Sequence, residues 1–419
     1  MLYRNLIVTA ALASASVSPL GAQTTDGEHL GRQIYVAVVT FGPGTVYWER
    51  FGHNSIWIRD SLTGLDELYD YGRFSFRQEN FLTRFLQKEM LYWMQGDAPE
   101  LVLPHYQRRN RSIYVQELNL TPVQRIALRD FLLANDTDEN RFYAYDYYLD
   151  NCSTRIRDAL DRVLGGRIHD ATSERTTATT YRFHTLRLVT ENIPLYAGLH
   201  ALLGSPVDRS ITQWDEMFLP MKVREYLRSV TVQDEAGREI PLVASEATLF
   251  ESAEPPPPAA PPRWTWAFLL AGVALAIAAA ALAYRGVVNR WVRIAFVAVS
   301  TAWMMIVGVC GVIIVGLWGL TAHTVAAWNE NLLLLNPAAL AFALLLGPAV
   351  YGGRWAGHLA LWAGLVVGGS SVVGMLLQVL PWFDQVNGPI VALTVPVNVT
   401  IAGAWWWLSA ASSKRPAAS

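Results

Sequence analysis

Beyond residue 263 the chain carries five long apolar runs, at roughly 264–284, 294–320, 332–352, 355–380 and 389–409. Each is long enough to cross a bilayer as a helix, for which about 20 apolar residues suffice. Between Trp264 and Ser412 the only Asp, Glu, Lys or Arg residues are Arg285, Arg290, Arg293, Glu330, Arg354 and Asp384. Five such runs do not fit the buried helices of a soluble protein. The connections alternate in charge. "YRGVVNRWVR", "YGGRWAG" and the tail "SSKRPAAS" are basic, whereas "TAHTVAAWNEN" and "PWFDQVNGP" hold no Lys or Arg. Basic connections stay in the cytoplasm. The first span therefore enters from outside, and the tail, 413–419, ends in the cytoplasm. Trp264, Trp291, Trp355, Trp382 and Trp405 fall at span ends, as interfacial anchors do.

The polar half precedes a proline-rich stretch, "ESAEPPPPAAPPR" at 251–263. Consecutive prolines hold an extended spacer that cannot join a core. We read it as the linker between an extracytoplasmic domain, 23–250, and the membrane domain, 264–412. At the N-terminus Arg4, the apolar "LIVTAALASASVSPL" and the small residues of "GAQ" read as a signal peptide over 1–22. An uncleaved anchor is the alternative. In either case Gln23 onward lies outside the cytoplasm, in the periplasm or on the outer side of the cell (inner) membrane that holds the spans. A formal net charge of -2 gives no reason to expect a nucleic-acid partner. No metal-ligand spacing and no phosphate-binding glycine loop occurs, so no cofactor is expected. Oligomeric state is not legible.

The chain has two cysteines, Cys152 in the exported half and Cys310 within the second span. The membrane topology keeps them apart, which excludes an intramolecular disulfide. A lone thiol in an oxidising compartment is either buried or used. In "YLDNCSTRIRDALDRVLGG" the apolar Ile156, Ala159, Leu160 and Val163 repeat at helical spacing. Asp150 or Asn151 suits the N-cap and Gly165 or Gly166 the C-terminal stop. Cys152 then sits in the first helical turn. There the helix dipole favours the thiolate, and free N–H groups could bind an oxyanion. Asn151, Ser153 and Arg155, together with Asn54, are the residues expected to help bind substrate or the oxyanion. A packed structural cysteine remains the competing reading.

A nucleophilic thiol needs a base. Of the exported histidines, His53 has the best setting. It follows Gly52 and heads the alternating strand "HNSIWIRD", while "DELYDYGRF" reads as the next strand. A third polar residue should orient the imidazole. Asp70 on that neighbouring strand is the first candidate, with Asn54 and Asp60 behind it. The bland alternative for His53 is an exposed turn residue. His29 lies near the mature terminus, and "LPHYQRRNR" around His105 reads as a basic surface loop. Strands are expected at 34–40, 54–60, 67–71 and 112–118, with a hairpin in "VTVQDEAGREIPLV". Helices are expected at 79–89, 122–134, 152–164 and beyond 180. Thr121, Pro122 and Gln124 form a capping-box start for the second of these.

"FGHNSIWI", "LYDYGRFSF", "YLDNCSTRIRDAL" and "NENLLLLNP" resemble the Lnb family of bacterial lipoprotein N-acyltransferases over about 35–340. The His-before-Cys order and the "NC" pair also resemble the permuted papain-like superfamily that includes lecithin:retinol acyltransferase. The resemblance implies an α+β papain-like (permuted) extracytoplasmic domain followed by an all-α membrane domain of about five transmembrane helices. It implies Cys152 as nucleophile, His53 as base and Asp70 on the strand that often supplies the third member. It further implies transfer of an acyl chain from the glycerol of a diacylglyceryl lipoprotein to its N-terminal cysteine amine, through a thioester. The expected partners are a lipoprotein or phospholipid substrate and the membrane. The same residues would also serve a membrane-tethered peptidase or amidase acting on cell-wall peptide. A non-enzymatic envelope sensor is the third reading. Two further features stay open. Tyr143, Tyr145, Tyr147 and Tyr148 either line an acyl groove or pack a core. The outside loop with His323, Asn329, Glu330 and Asn331 either binds substrate or caps helices.

Overall fold

The computed structural model describes residues 31–351 and 353–413. The expected signal peptide, His29 and the tail beyond Ser413 lie outside these. The exported half is built on a seven-stranded antiparallel sheet of order β11-β5-β1-β2-β3-β4-β6. Its strands are β1 (Ile34–Phe41), β2 (His53–Asp60), β3 (Leu65–Phe74), β4 (Leu91–Asp97), β5 (Ile113–Leu118), β6 (Phe142–Ala144) and β11 (Val243–Phe250). Helix α1 (Phe81–Gln87) follows β3, α2 (Pro99–Arg108) follows β4 and α3 (Pro122–Asn135) follows β5.

β1, "IYVAVVTF", is an almost continuous apolar run because both of its faces are covered. Val36 and Val38 join Ile56, Ile58, Tyr69 and Tyr71 beneath α3 and α4 (Cys152–Val163). Ala37, Val39 and Phe41 join Leu68 and Val102 beneath α2. The four expected strands form within a few residues of where they were read. So do the 122–134 and 152–164 helices, with Thr121 and Gln124 closing their capping box. The basic stretch around His105 is different. It forms the ten-residue helix α2, with Pro99 in its first turn and Pro104 inside. The two prolines and the run of polar residues obscure it in the sequence, since Pro inside a helix removes a backbone bond. Packing of Val102 and Tyr106 against the sheet compensates.

The chain continues through α5 (Arg167–Thr172), β7 (Thr176–Thr180), α6 (Tyr181–Leu188), α7 (Ile193–Leu202), β8 (Ser210–Thr212), α8 (Gln213–Glu216) and α9 (Pro220–Leu227). The expected hairpin then forms from β9 (Thr231–Gln233) and β10 (Glu239–Pro241). The five apolar helices are α10 (Thr265–Gly286), α11 (Arg290–Leu320), α12 (Ala338–Val350), α13 (Arg354–Leu377) and α14 (Gly388–Ser413). A 3₁₀ turn, Glu330–Leu333, prefaces α12. Within the bundle, the Asn398 amide donates to Leu334 O (2.9 Å) and to the Ser371 hydroxyl (3.0 Å), and it accepts from Trp303 Nε1 (2.8 Å). A fully satisfied amide in an apolar bundle ties several segments in one register.

The "NEN" loop joins the two halves. The last carbonyls of a helix have no partner within it. At the end of α7 they are met from the membrane side. Asn329 donates to Ala201 O and Leu202 O (both 3.0 Å). Asn331 donates to His200 O (3.1 Å) and Ala201 O (3.0 Å), and Gln385 donates to Leu203 O (3.1 Å). Gly204 then passes so close to Ala327 that a Cβ would lie 1.8 Å from its carbonyl oxygen. Of the two readings of this loop, the amides of Asn329 and Asn331 serve capping. Replacing both asparagines with alanine leaves buried carbonyls unpaired, at about 1–3 kcal/mol for each group. We expect a lower thermal midpoint in detergent and faster proteolysis in the proline-rich stretch; an unchanged midpoint would contradict this clamp.

Candidate active site

Cys152 opens α4. Asn151 is the N-cap: its side-chain oxygen accepts from Ser153 N (2.8 Å) and Thr154 N (3.0 Å), and Thr154 Oγ1 in turn accepts from Asn151 N (2.8 Å). The Asn151 amide also donates to Tyr147 O and Phe218 O (both 3.0 Å), which pins the helix start. The cap occupies two of the first-turn N–H groups that the sequence left free for an oxyanion. The Cys152 N–H has no partner among the described residues. Asp150 does not cap. It holds Arg155 in a two-point pair (2.5 and 2.7 Å). Arg155 therefore lies over the Tyr143 ring, 4.0 Å from its centroid, with its charge matched by Asp150.

His53 is the first residue of β2 and stacks with Phe41 and Tyr106, on the α2 side of the sheet. Cys152 approaches from the α4 side. They meet over Gly72 of β3. A Cβ there would lie 3.3 Å from Cys152 Cβ, and 4.0 Å from both His53 Cε1 and Tyr143 Oη. Gly72 has φ +98°, and the pairing of β3 with β4 shifts register between Asp70 and Arg73. A positive φ favours glycine. The bulge therefore opens the sheet where thiol and imidazole come together.

His53 Nε2 lies 3.4 Å from Asp70 Oδ2. Arg73 donates to both Asp70 oxygens (2.8 and 3.3 Å) and also pairs with Asp97. Burial opposes ionisation of Asp70, but His53 and then Arg73 outweigh it and hold the carboxyl below its ordinary value. Burial likewise opposes a charged imidazole. Tyr106, Cys152 and Asp70 overcome it, so the His53 pKa stands well above the usual histidine value. Burial would also push the thiol up, yet the neighbouring His53 outweighs it and lowers the Cys152 pKa. The pair therefore favours thiolate and imidazolium.

The remaining sequence candidates fall outside this row. Asn54 is buried, donating to the Thr40 hydroxyl (2.9 Å) and accepting from Ser153 (3.0 Å). It ties β1, β2 and α4 together rather than touching the imidazole. Ser153 Oγ is 4.0 Å from Cys152 Sγ. Asp60 pairs with Arg129 (2.9 Å). Among the other histidines, His184 pairs with buried Glu216 (2.8 Å) and His169 packs against Trp214. The sequence reading missed Tyr106 and left Tyr143 open between an acyl groove and a core. Tyr106 arrives on α2, which read as a loop. Tyr143, on β6, is 7% exposed, and its hydroxyl has no hydrogen-bond partner among the described residues. Burial, followed by the Cys152 charge, raises its pKa and keeps the phenol neutral. Only the run of tyrosines at 143–148 hinted at it.

A family model described as the Lnb N-terminal periplasmic domain matches residues 28–192. A second, described as the Lnb transmembrane domain, matches residues 264–393. Neither the curated proteins nor the solved structures gave a match to the chain. The first match contains Cys152, His53, Asp70 and Tyr143, and the second takes in four of the apolar helices and the start of the fifth. Together they fall in both halves of the chain. The chain belongs to the Lnb family, as a multi-pass membrane protein with a periplasmic N-terminal domain.

Proposed function

We propose that this protein is an acyltransferase of the inner membrane that acts on lipoproteins through a thioester on Cys152. Lnb membership supports a membrane enzyme that modifies lipoproteins. The observation that carries the finer reading is the row of Cys152, His53 and Asp70 across the gap at Gly72. A helix-borne cysteine on an antiparallel sheet, with the base at a strand start, also fits a permuted papain-like core. Residues 23–250 would form the catalytic unit and 251–263 the tether, with the C-terminus in the cytoplasm.

The Cys152 thiolate attacks the carbonyl carbon of a glycerol ester, forming a C–S bond. The Cys152 N–H and the Tyr143 hydroxyl donate to the resulting oxyanion. The intermediate collapses with cleavage of the C–O bond, and His53 gives its proton to the glycerol oxygen. The N-terminal amine of the lipoprotein then attacks the thioester. His53 takes a proton from that amine, the C–S bond breaks, and an amide and a lyso-glyceride remain. Asp70 orients the imidazole and stabilises its charge.

The test is expression in a host that lacks lipoprotein N-acylation, with mass spectrometry of lipoprotein N-terminal peptides. The expected result is an N-acylated peptide of unchanged total acyl content. Diacyl peptides left as they were, with the protein present and folded, would overturn the proposal. Tyr143→Phe should lower kcat about 10²-fold with little change in KM, as loss of one oxyanion donor does. A kcat within twofold of wild type would remove Tyr143 from the mechanism.

A further inference from the structure

An aromatic cleft of about 290 Å³, lined by Phe74, Phe85, Tyr92, Tyr145, Tyr147 and His323, is not used by the chemistry above. Its rings form a continuous series. Phe74 stacks on Tyr92 (5.2 Å between centroids) and Tyr92 on Tyr145 (4.2 Å). Tyr145 meets Tyr147 (6.1 Å), and Tyr147 stacks on His323 (6.2 Å). At the inner end Tyr145 adjoins Tyr143 (6.4 Å), whose hydroxyl faces the gap at Gly72 and Cys152. The Cys152 charge also raises the Tyr145 pKa, after burial.

The outer end belongs to the membrane domain. His323 sits in the loop between α11 and α12, where its Nε2 contacts Phe85 O (2.8 Å) and Ala322 N donates to Leu86 O (3.2 Å). Helix α1 is thus fixed to the outer end of the spans. The lining carries exposed apolar side chains: Trp48 is 55% exposed and Phe76 63%. Exposed apolar rims of this kind mark interaction sites or membrane contact. The one Lys of the lining, Lys88, is paired with Asp146. No unpaired charge therefore faces the interior.

We infer that this cleft is the binding site for one fatty acyl chain of a diacylglyceryl lipopeptide, admitted from the outer face of the bilayer and led to Cys152. The inference rests on the acyl-transfer reading above and names the subsite that reading requires. Three features select an acyl chain over other occupants. The walls are aromatic and offer few polar partners, unlike a site built for a sugar or a peptide backbone. One end opens at the membrane domain. At the other end Tyr145 adjoins Tyr143, which faces the gap where Cys152 lies. Burial of methylenes, at roughly 0.8 kcal/mol each, would supply the affinity.

The test uses the full chain carrying Cys152→Ser, in vesicles of dioleoylphosphatidylcholine. The probe is a diacylglyceryl lipopeptide with a diazirine in one acyl chain, and photolabelled peptides are mapped by mass spectrometry. Label is expected in the 74–92 and 143–147 segments, with competition by unlabelled dipalmitoylglyceryl lipopeptide. Phe85→Ser and Trp48→Ser, at partly exposed positions, should each reduce that label about tenfold. Label confined to the spans, or cleft label unchanged in both variants, would overturn the site. Equal competition by phosphatidylglycerol would overturn the lipopeptide as its source. Failure of the acyl-transfer reading has a separate signature: cleft labelling intact while wild-type Cys152 never carries a thioester.

Discussion

Cys152→Ala is expected to reduce N-acylation of a lipopeptide substrate by about 10⁴-fold or more, to the level left by binding alone. His53→Ala should fall nearly as far, and the double variant little further, because the two groups act as one unit. The reason is local. Burial alone would keep Cys152 as an unreactive thiol, and the imidazole beside it reverses that preference. Without His53 the burial remains and the compensation is gone, so the thiol returns to its neutral form. Rates of lipopeptide N-acylation by purified protein in detergent measure this directly. A Cys152→Ala protein within tenfold of wild type would mean that the thiol is structural.

Asp70→Asn is expected to cost about 10²- to 10⁴-fold in kcat and to reshape the pH profile. The sign follows from the two shifts. The Cys152 pKa is lowered and that of His53 is raised. The reactive ion pair therefore exists between them. It is lost below the Cys152 value, where the thiolate protonates, and above the His53 value, where the imidazolium deprotonates. Asp70 is among the groups that raise His53, so its removal moves the alkaline limb to lower pH and narrows the plateau. The pH dependence of kcat for lipopeptide N-acylation reads that limb directly. An alkaline limb that stays in place in Asp70→Asn would show that the carboxylate does not support the imidazolium.

Much of this arrangement was legible because chemistry and secondary structure coincided at single positions. Cys152 falls where capping residues start a helix, and His53 where an alternating strand begins, so each announces both its chemistry and its place. Asp70 followed from strand adjacency, since Ser55 and Asp70 pair across β2 and β3. The membrane half was legible because about 20 apolar residues admit few other environments. What stayed hidden depends on contacts between distant segments. Tyr106 and Tyr143 reach the site from α2 and β6 through tertiary packing that no local pattern encodes. The cap was legible, but not that Asn151 would take two of the N–H groups assigned to the oxyanion. Arg155 read as a source of positive potential, and its pairing with Asp150, five residues back, changes that. The asparagines of "NEN" could be read as ligands or as caps, and only the docked end of α7 distinguishes the two.

The most direct test of the central claim is the intact mass of the protein quenched in acid shortly after mixing with a diacylglyceryl lipopeptide. The account predicts a transient gain of one acyl group, mapped to Cys152, cleaved by neutral hydroxylamine and lost as N-acyl lipopeptide appears. N-acyl lipopeptide formed at the wild-type rate by Cys152→Ala, with no acylated enzyme at any time, would contradict it.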